Sequence, residues 1–164
     1  MNHRPVQPNL AAADPGVRAA ALRWLARHGE PADAAAVAAL VEDRAEFDDR
    51  DECSDPPESA RTPVRLIAIE SLVALAAPGA YREVFDHALA DADLRIRAAA
   101  TLGASTGALL ARLAVEEDRG VRYRIAVALH PADVALRVLE ELRAGDDFAA
   151  VAAGVVLDAA AEAD

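Results

Sequence analysis

The segment GASTG at residues 103–107 matches G-x-S-x-G, a pattern of residue types and spacing that serves acyl-transfer chemistry. In that pattern, the nucleophile elbow, a strained turn between a strand and a helix exposes the serine. Here the helical sequence LRIRAAATL precedes the motif where a strand is required, and His130 alone follows as a candidate base. The residues therefore predict an inter-helix turn, in which the glycines end one helix and Ser105 or Thr106 caps the next.

Side chains that ligate metals are present but poorly spaced. No two of the four histidines have the H-x-x-x-H spacing of a zinc site. His28 and His130 lie at predicted helix ends, where an imidazole caps the last carbonyl groups. The acids between residues 48 and 55 cluster, but the run lacks the glycine and the closing glutamate of a calcium loop. We therefore expect a solvated acidic loop, with no metal and no cofactor.

The net charge of the chain disfavours some classes of binding partner. The chain has 28 acids and 17 bases, for a net charge of -11, and every base is arginine. Nucleic acid and anionic membrane surfaces are disfavoured as partners, because both attract clustered positive charge. Cys53 is the single cysteine, which excludes an intrachain disulfide and a cysteine-based zinc site. No signal-peptide or transmembrane pattern is visible, so we expect a cytoplasmic protein.

Internal repetition organises the chain. A pattern recurs in which an acid precedes a branched apolar residue and an arginine, followed by Ala or Ile and then Leu at four-residue intervals. The apolar-Arg pair starts at residues 17, 64, 94 and 121, and a weaker copy without the arginine starts at Phe148. The last three spacings, 30, 27 and 27 residues, each fit one helical hairpin. A content of 43 alanines and 4% aromatic residues also favours helices over a β-sandwich or barrel.

Each copy predicts the first helix of a hairpin. Asp14-Pro15 and Thr62-Pro63 place an N-cap residue beside a proline at the first helical position. Second helices are expected at residues 34–41, 81–89, 108–115 and 134–142. Nine helices, alternating first and second members, therefore account for the chain. Because none is long enough to be stable alone, stacking must bury their faces.

An insertion at residues 44–61 explains the longer first spacing of 47 residues. Residues 42–58 contain nine acids and two arginines and so contribute -7 of the net charge. Two adjacent prolines, at 56 and 57, and the absence of apolar periodicity predict an irregular or disordered segment. We expect an N-terminal arm at 1–13 and one repeat domain at 14–163 that this acidic insertion interrupts.

The D-x-x-V-R-x-x-A-x-x-x-L copies resemble HEAT repeats of the short, phycobilisome-lyase-like kind over about residues 14–160. Residues 94–142 are also similar to the leucine-rich repeat variant. The resemblance implies an all-α fold, a right-handed α-solenoid of about five helical hairpins. It also implies a ladder in which recurrent acids and arginines hold neighbouring repeats together: Asp14 with Arg18, Arg65, Asp91 with Arg95, and Asp118 with Arg122.

Two copies depart from this pattern. Arg61 occupies the acid position of the second copy, and Gly145 with Ala149 occupies both charged positions of the last. The last repeat is therefore expected to be a cap with nothing stacked beyond it.

The candidate binding residues form two groups. Tyr81, Arg82, Phe85 and Asp86 lie early on a second helix, the member that lines the concave face in HEAT-like arrays, and such residue types carry interface energy. The alternative is that Phe85 is ordinary core and Tyr81 its rim. The second group lies in the acidic insertion and comprises Asp48, Asp49, Asp51 and Glu52.

These features favour a non-catalytic protein-binding module or scaffold whose partner has a basic surface. One specific form is an immunity or antitoxin-like protein that blocks a basic enzyme such as a nuclease. The alternative, which the resemblance permits, is a lyase or isomerase that acts on a bilin or a similar cofactor. Such an enzyme needs a nucleophile or an acid-base pair gathered in one pocket, and the sequence shows none.

Overall fold

The computed structural model describes residues 9–51 and 58–162. These residues form two compact units, which are divided between Ala80 and Tyr81. The part described is mostly helical, with nine α-helices, one short 3-10 helix and one two-stranded sheet. The predicted all-α class and the predicted number of helices are therefore confirmed for these residues. Among the helices described, none combines the length and the apolar character needed to cross a bilayer.

The first unit contains three α-helices and an antiparallel hairpin. Its elements are α1 (Pro15–His28), a 3-10 turn (Pro31–Asp33), α2 (Ala34–Ala38), β1 (Glu46–Asp51), β2 (Glu58–Pro63) and α3 (Val64–Leu75). Helix α3 packs against both α1 and α2. Leu22, Val37 and Leu72 are fully buried between them. Their burial supplies the hydrophobic stabilisation that these short helices need.

The hairpin corrects the sequence prediction for the insertion. Residues 46–51 pair with residues 58–63 in antiparallel register, so the predicted irregular segment is a β-hairpin over this range. Thr62 belongs to β2 and is not the predicted N-cap of the next helix, whose N-cap residue is Pro63. The hydrogen bonding between the two strands continues to the start of α3, where the Val64 amide donates to the Ala45 carbonyl at 2.9 Å.

The second unit is formed by helices alone among the residues described. They are α4 (Arg82–Ala88), α5 (Leu94–Ala100), α6 (Thr106–Leu113), α7 (Arg119–Leu129), α8 (Asp133–Arg143) and α9 (Phe148–Ala161). The first members of successive pairs contact one another, α5 with α7 and α7 with α9. Each also contacts a second member, as α7 does with α6 and α8. Ile96, Ile125 and Leu139 are fully buried in this packing.

Four of the first helices, α1, α5, α7 and α9, begin at aspartate N-caps, whereas α3 begins at Pro63. Asp14 accepts hydrogen bonds from the Gly16 and Val17 amides, and Asp118 accepts one from Val121 at 2.8 Å. In the third copy the N-cap is Asp93, not Asp91, which shifts the register of that repeat by two residues. A side-chain acceptor at this position satisfies amides that have no partner within the helix.

Candidate functional site

The acidic hairpin has two different faces, because side chains alternate along a strand. Phe47 and Asp49 of β1 point towards α1, and Thr62 of β2, which pairs with Phe47 in register, is 4% exposed. The exposed side chains Glu46 and Asp48 belong to the other face, where Asp48 pairs in register with Arg61. The strands therefore sort the acids of the insertion into an anchored set and a solvent-facing set.

Arg23 of α1 anchors the inner face of the hairpin. Its guanidinium donates two hydrogen bonds to the Asp49 carboxylate, one of them from Nη1 to Oδ1 at 3.1 Å. The same guanidinium lies 5.6 Å from the centroid of the Phe47 ring. A bidentate ion pair and a cation-π contact on one side chain fix the position of the strand more firmly than either alone. Asp49, a predicted partner-binding residue, is therefore occupied within the fold.

The outer face of the hairpin presents carboxylates to solvent. Arg61 donates to Glu46 at 3.3 Å and to Asp48 at 3.4 Å, and all three side chains are about half exposed or more. Long, exposed contacts of this kind contribute little to stability. The carboxylates of this outer acidic face, which we define as Glu46 and Asp48, can therefore exchange Arg61 for a guanidinium of another molecule. Of the other predicted acids, Asp51 lies in β1 and Glu52 lies outside the described residues.

The other predicted group, residues 81–86 at the start of α4, includes side chains that are engaged within the fold. Phe85 is 2% exposed and lies in the core, so its side chain is not accessible to a partner in this structure. Asp86 accepts hydrogen bonds from the amide and the hydroxyl of Ser105, at 2.7 and 2.8 Å, and ties α4 to the start of α6. Tyr81 is half-buried with a left-handed backbone, φ 58°, and Arg82 is exposed. Arg82 is thus the most accessible member of the group.

Ser105 is a helix cap and not a nucleophile elbow. It is the N-cap of α6, and its hydroxyl accepts a hydrogen bond from the Ala108 amide at 3.2 Å. The preceding Gly103 lies against the Phe85 ring so closely that a methyl group on its Cα would overlap the ring atoms. The predicted cap at Ser105 is therefore confirmed, whereas Gly107, which the sequence predicts to end the preceding helix, lies within α6.

Arginines of the first helices pair with acids of later segments, but these acids are not the ones that the resemblance implies. Arg18 donates to Asp43 Oδ2 at 2.7 Å and to the carbonyl groups of Ala12 and Ala13. Asp14, its predicted partner, caps the helix instead. Arg122 likewise donates to Glu141 at 3.1 Å, and the side chain of Asp118 caps α7. Each arginine thus joins its helix to an acid that follows much later in the chain.

The third arginine of this ladder is Arg97, which the sequence pattern missed. Arg97 donates to both oxygens of Glu116, at 2.8 and 3.0 Å, and to the carbonyl groups of Asp91 and Ala92. The predicted Arg95 pairs with the N-cap Asp93, at 2.7 Å. Arg97 lies four residues after its N-cap, as Arg18 and Arg122 do, so the two-residue register shift accounts for the error. For Arg65, the backbone amide donates to the Asp43 carbonyl at 3.0 Å.

Glu116 is the most constrained acid of the described chain. It is 4% exposed and also accepts hydrogen bonds from Arg112 Nε at 2.8 Å and from the Asp118 amide at 3.0 Å. Burial acts to raise the pKa of Glu116, but the hydrogen bonds from Arg97 and Arg112 outweigh it and lower that pKa to about 2. The carboxylate is therefore ionised and fully occupied by protein donors, which leaves it unavailable for catalysis.

Two open depressions of the surface are lined by some of these residues. One, of about 450 Å³, is lined by the Arg97–Glu116 network with Val115, Glu117 and Asp118. The other, of about 260 Å³, lies between α1 and α3 beside Arg23 and Arg27. Within the residues described, no three His, Cys, Asp or Glu side chains are placed to hold a metal ion. The arrangement can bind charged groups by hydrogen bonds and ion pairs.

Comparisons with protein-family profiles, with curated proteins and with solved structures find no match to this chain.

Proposed function

We propose that this protein is a non-catalytic binding module, a HEAT-like right-handed α-solenoid, that recognises a protein with a basic surface through the outer acidic face of its hairpin. The observation that carries the proposal is the division of the hairpin into an anchored face and a solvent-facing acidic face. An insertion that served only for solubility would need no bidentate anchor to the helical scaffold.

Anchoring favours recognition for an entropic reason. A disordered acidic loop must be ordered when it binds, and this ordering weakens the complex. The hairpin is held to α1 through Arg23 before any partner arrives, so Glu46 and Asp48 are already in place. Preorganised carboxylates match the planar guanidinium of arginine, which forms bidentate hydrogen bonds with them.

The charge of the whole chain supports the same class of partner. A net charge of -11 repels acidic molecules and attracts basic ones over a distance of about 10 Å at moderate salt. Complementary fields speed encounter and suppress wrong partners. A basic enzyme blocked by this module, in the manner of an immunity protein or antitoxin, is one form of the proposal. Arg82 and Tyr81 are proposed as a secondary contact.

The experiment is capture of partners from a native lysate with the intact protein and with the double variant Glu46→Gln and Asp48→Asn. The double variant removes two exposed charges from the hairpin and leaves Arg23 and Asp49 in place. We expect basic proteins on the intact bait at low salt, and their loss from the variant. Equal capture by both baits would contradict the proposal.

A matched control separates the hairpin from net charge. Glu117→Gln with Glu140→Gln also removes two exposed acids, both outside the hairpin. This control should capture the same proteins as the intact chain. If the control and the hairpin variant lose capture equally, general charge attraction, and not the hairpin, is responsible.

A further inference from the structure

Arg61 bridges the two carboxylates of the outer acidic face. It belongs to β2 and pairs in register with Asp48 of β1. Its Nε donates to Glu46 Oε2 at 3.3 Å, and its Nη1 donates to Asp48 Oδ1 at 3.4 Å. One guanidinium therefore contacts two acids that lie two residues apart on the same face of a strand. A guanidinium of another molecule that engages both carboxylates has to take the position that Arg61 occupies.

The two arginines that contact the hairpin differ in the geometry and exposure of their ion pairs. Arg23 makes a bidentate ion pair with Asp49 on the inner face, and the two side chains are 40% and 30% exposed. Arg61 makes one long hydrogen bond to each acid, and its side chain is 64% exposed. Bidentate geometry strengthens an ion pair, whereas exposure to solvent weakens it. The contacts of Arg61 with the outer acidic face can therefore open while the anchor to α1 stays closed.

We propose that Arg61 is an internal competitor that regulates binding at the outer acidic face. The inference rests on the proposed function, in which this face recognises a basic protein. An arginine of the partner engages Glu46 and Asp48 together only in those molecules in which the Arg61 contacts are open. The apparent dissociation constant is the intrinsic one divided by this open fraction, so the contacts of Arg61 weaken the complex.

The size of the effect follows from the weakness of the contacts. An exposed ion pair favours its closed state over its open state by a factor of about two to five. Roughly one third to one sixth of the molecules are then open, and removal of Arg61 should strengthen binding by about three- to sixfold.

The test is the dissociation constant of a capped tetra-arginine peptide at low salt, measured by calorimetric titration of the full chain. Arg61→Gln should bind the peptide about three- to sixfold more tightly than the intact chain. Arg124→Gln is the matched control, because Arg124 is an exposed arginine of α7 and its loss changes the net charge equally. The control should bind almost as the intact chain does. Equal gains for the two variants, or no gain for Arg61→Gln, would overturn the proposal.

The Glu46→Gln/Asp48→Asn background separates this inference from the proposed function. Without the two carboxylates Arg61 has nothing to release there, so Arg61→Gln should give no more gain in this background than Arg124→Gln does. A gain that persists would overturn the inference and leave the outer acidic face as the binding site. Equal affinity of the intact chain and Glu46→Gln/Asp48→Asn for the peptide would instead overturn the proposed function, and the inference with it.

Amide hydrogen exchange distinguishes competition from a structural role of Arg61. If Arg61 is a competitor, exchange in β1 and β2 of Arg61→Gln should stay within about threefold of the intact chain. Acceleration by about tenfold or more would show that Arg61 holds the hairpin together, and this result would also overturn the proposal.

Discussion

Arg97 and Glu116, nineteen residues apart in the chain, are joined by two hydrogen bonds of 2.8 and 3.0 Å at a site where the glutamate side chain is 1% exposed. The pair links the first helix of one repeat to the segment that precedes the next. Because Arg112 and the Asp118 amide use the remaining acceptor positions, the buried charge is fully compensated. Removing one partner of such a buried ion pair is strongly destabilising, because the other charge remains buried without compensation.

Replacing Arg97 by alanine should therefore destabilise the protein by about 3 kcal/mol, because Glu116 would keep only part of its compensation. Equilibrium urea unfolding measures the change. Arg124→Ala is the control, because Arg124 is an exposed arginine of α7 and its loss should cost less than about 0.5 kcal/mol. Similar losses for both variants would mean that the Arg97–Glu116 pair behaves as a surface contact.

The depressed pKa of Glu116 predicts a specific pH dependence. The group has an ordinary value of 4.5 and about 2 in the fold, so its contribution to stability is present above pH 4.5 and is lost as the pH falls towards 2. The contribution is on the order of 3 kcal/mol. The difference in unfolding free energy between the intact chain and Glu116→Gln should be largest at neutral pH and shrink below pH 4.5. A difference that does not change between pH 7 and pH 2.5 would contradict this assignment.

Gly103 should tolerate no side chain. The Phe85 ring occupies the space of a methyl group on Gly103, so Gly103→Ala should cost about 2–3 kcal/mol by overpacking. Gly107→Ala is the matched control, because a methyl group there meets no atom within 4 Å and a helical alanine is favoured over glycine by roughly 0.5–1 kcal/mol. Thermal unfolding of both variants, and of Gly103→Ala combined with Phe85→Leu, measures the effect. Failure of Phe85→Leu to recover part of the loss would exclude the ring as its cause.

The hairpin should loosen when its anchor is removed. Arg23→Ala deletes both the ion pair with Asp49 and the contact with the Phe47 ring. Amide hydrogen exchange in β1 and β2 should then accelerate by about tenfold, while exchange in α3 stays slow. Arg27→Ala, an exposed arginine one turn further along α1, should leave the hairpin protected. Unchanged exchange in Arg23→Ala would show that other contacts hold the hairpin.

The repeat spacing predicts the helices well and their ion pairs poorly. Helix positions follow from caps and apolar periodicity, both of which are local, so the expected second helices at 81–89, 108–115 and 134–142 match α4, α6 and α8 closely. The segment DAD at residues 91–93 offers two possible N-caps, and only the packing of α5 selects Asp93. This choice moves the ladder position from Arg95 to Arg97. Glu116 and Glu117 are adjacent residues of the same type, so the sequence alone does not show which one is buried. The course of the chain after α6 buries Glu116 and leaves Glu117 exposed.

For the hairpin, the sequence pattern does not predict the secondary structure. Its alternation of inward Phe47 and Asp49 with outward Glu46 and Asp48 has the period of a strand, but charged residues occupy both faces. A pattern based on apolar residues cannot detect a strand whose inner face is held by an ion pair to Arg23. In the structure β1 contacts α1, and Thr62, which pairs in register with Phe47, is buried.

The rate of association with a captured basic partner, measured against salt concentration, tests whether the outer acidic face recognises that partner. For the intact chain and for the Glu117→Gln/Glu140→Gln control, the association rate should fall steeply as salt rises, because the carboxylates steer the encounter. For Glu46→Gln/Asp48→Asn the rate at low salt should be lower by about tenfold, and it should fall less steeply with salt than the rates of the other two proteins. Identical rates and identical salt dependence in all three proteins would contradict recognition by the outer acidic face.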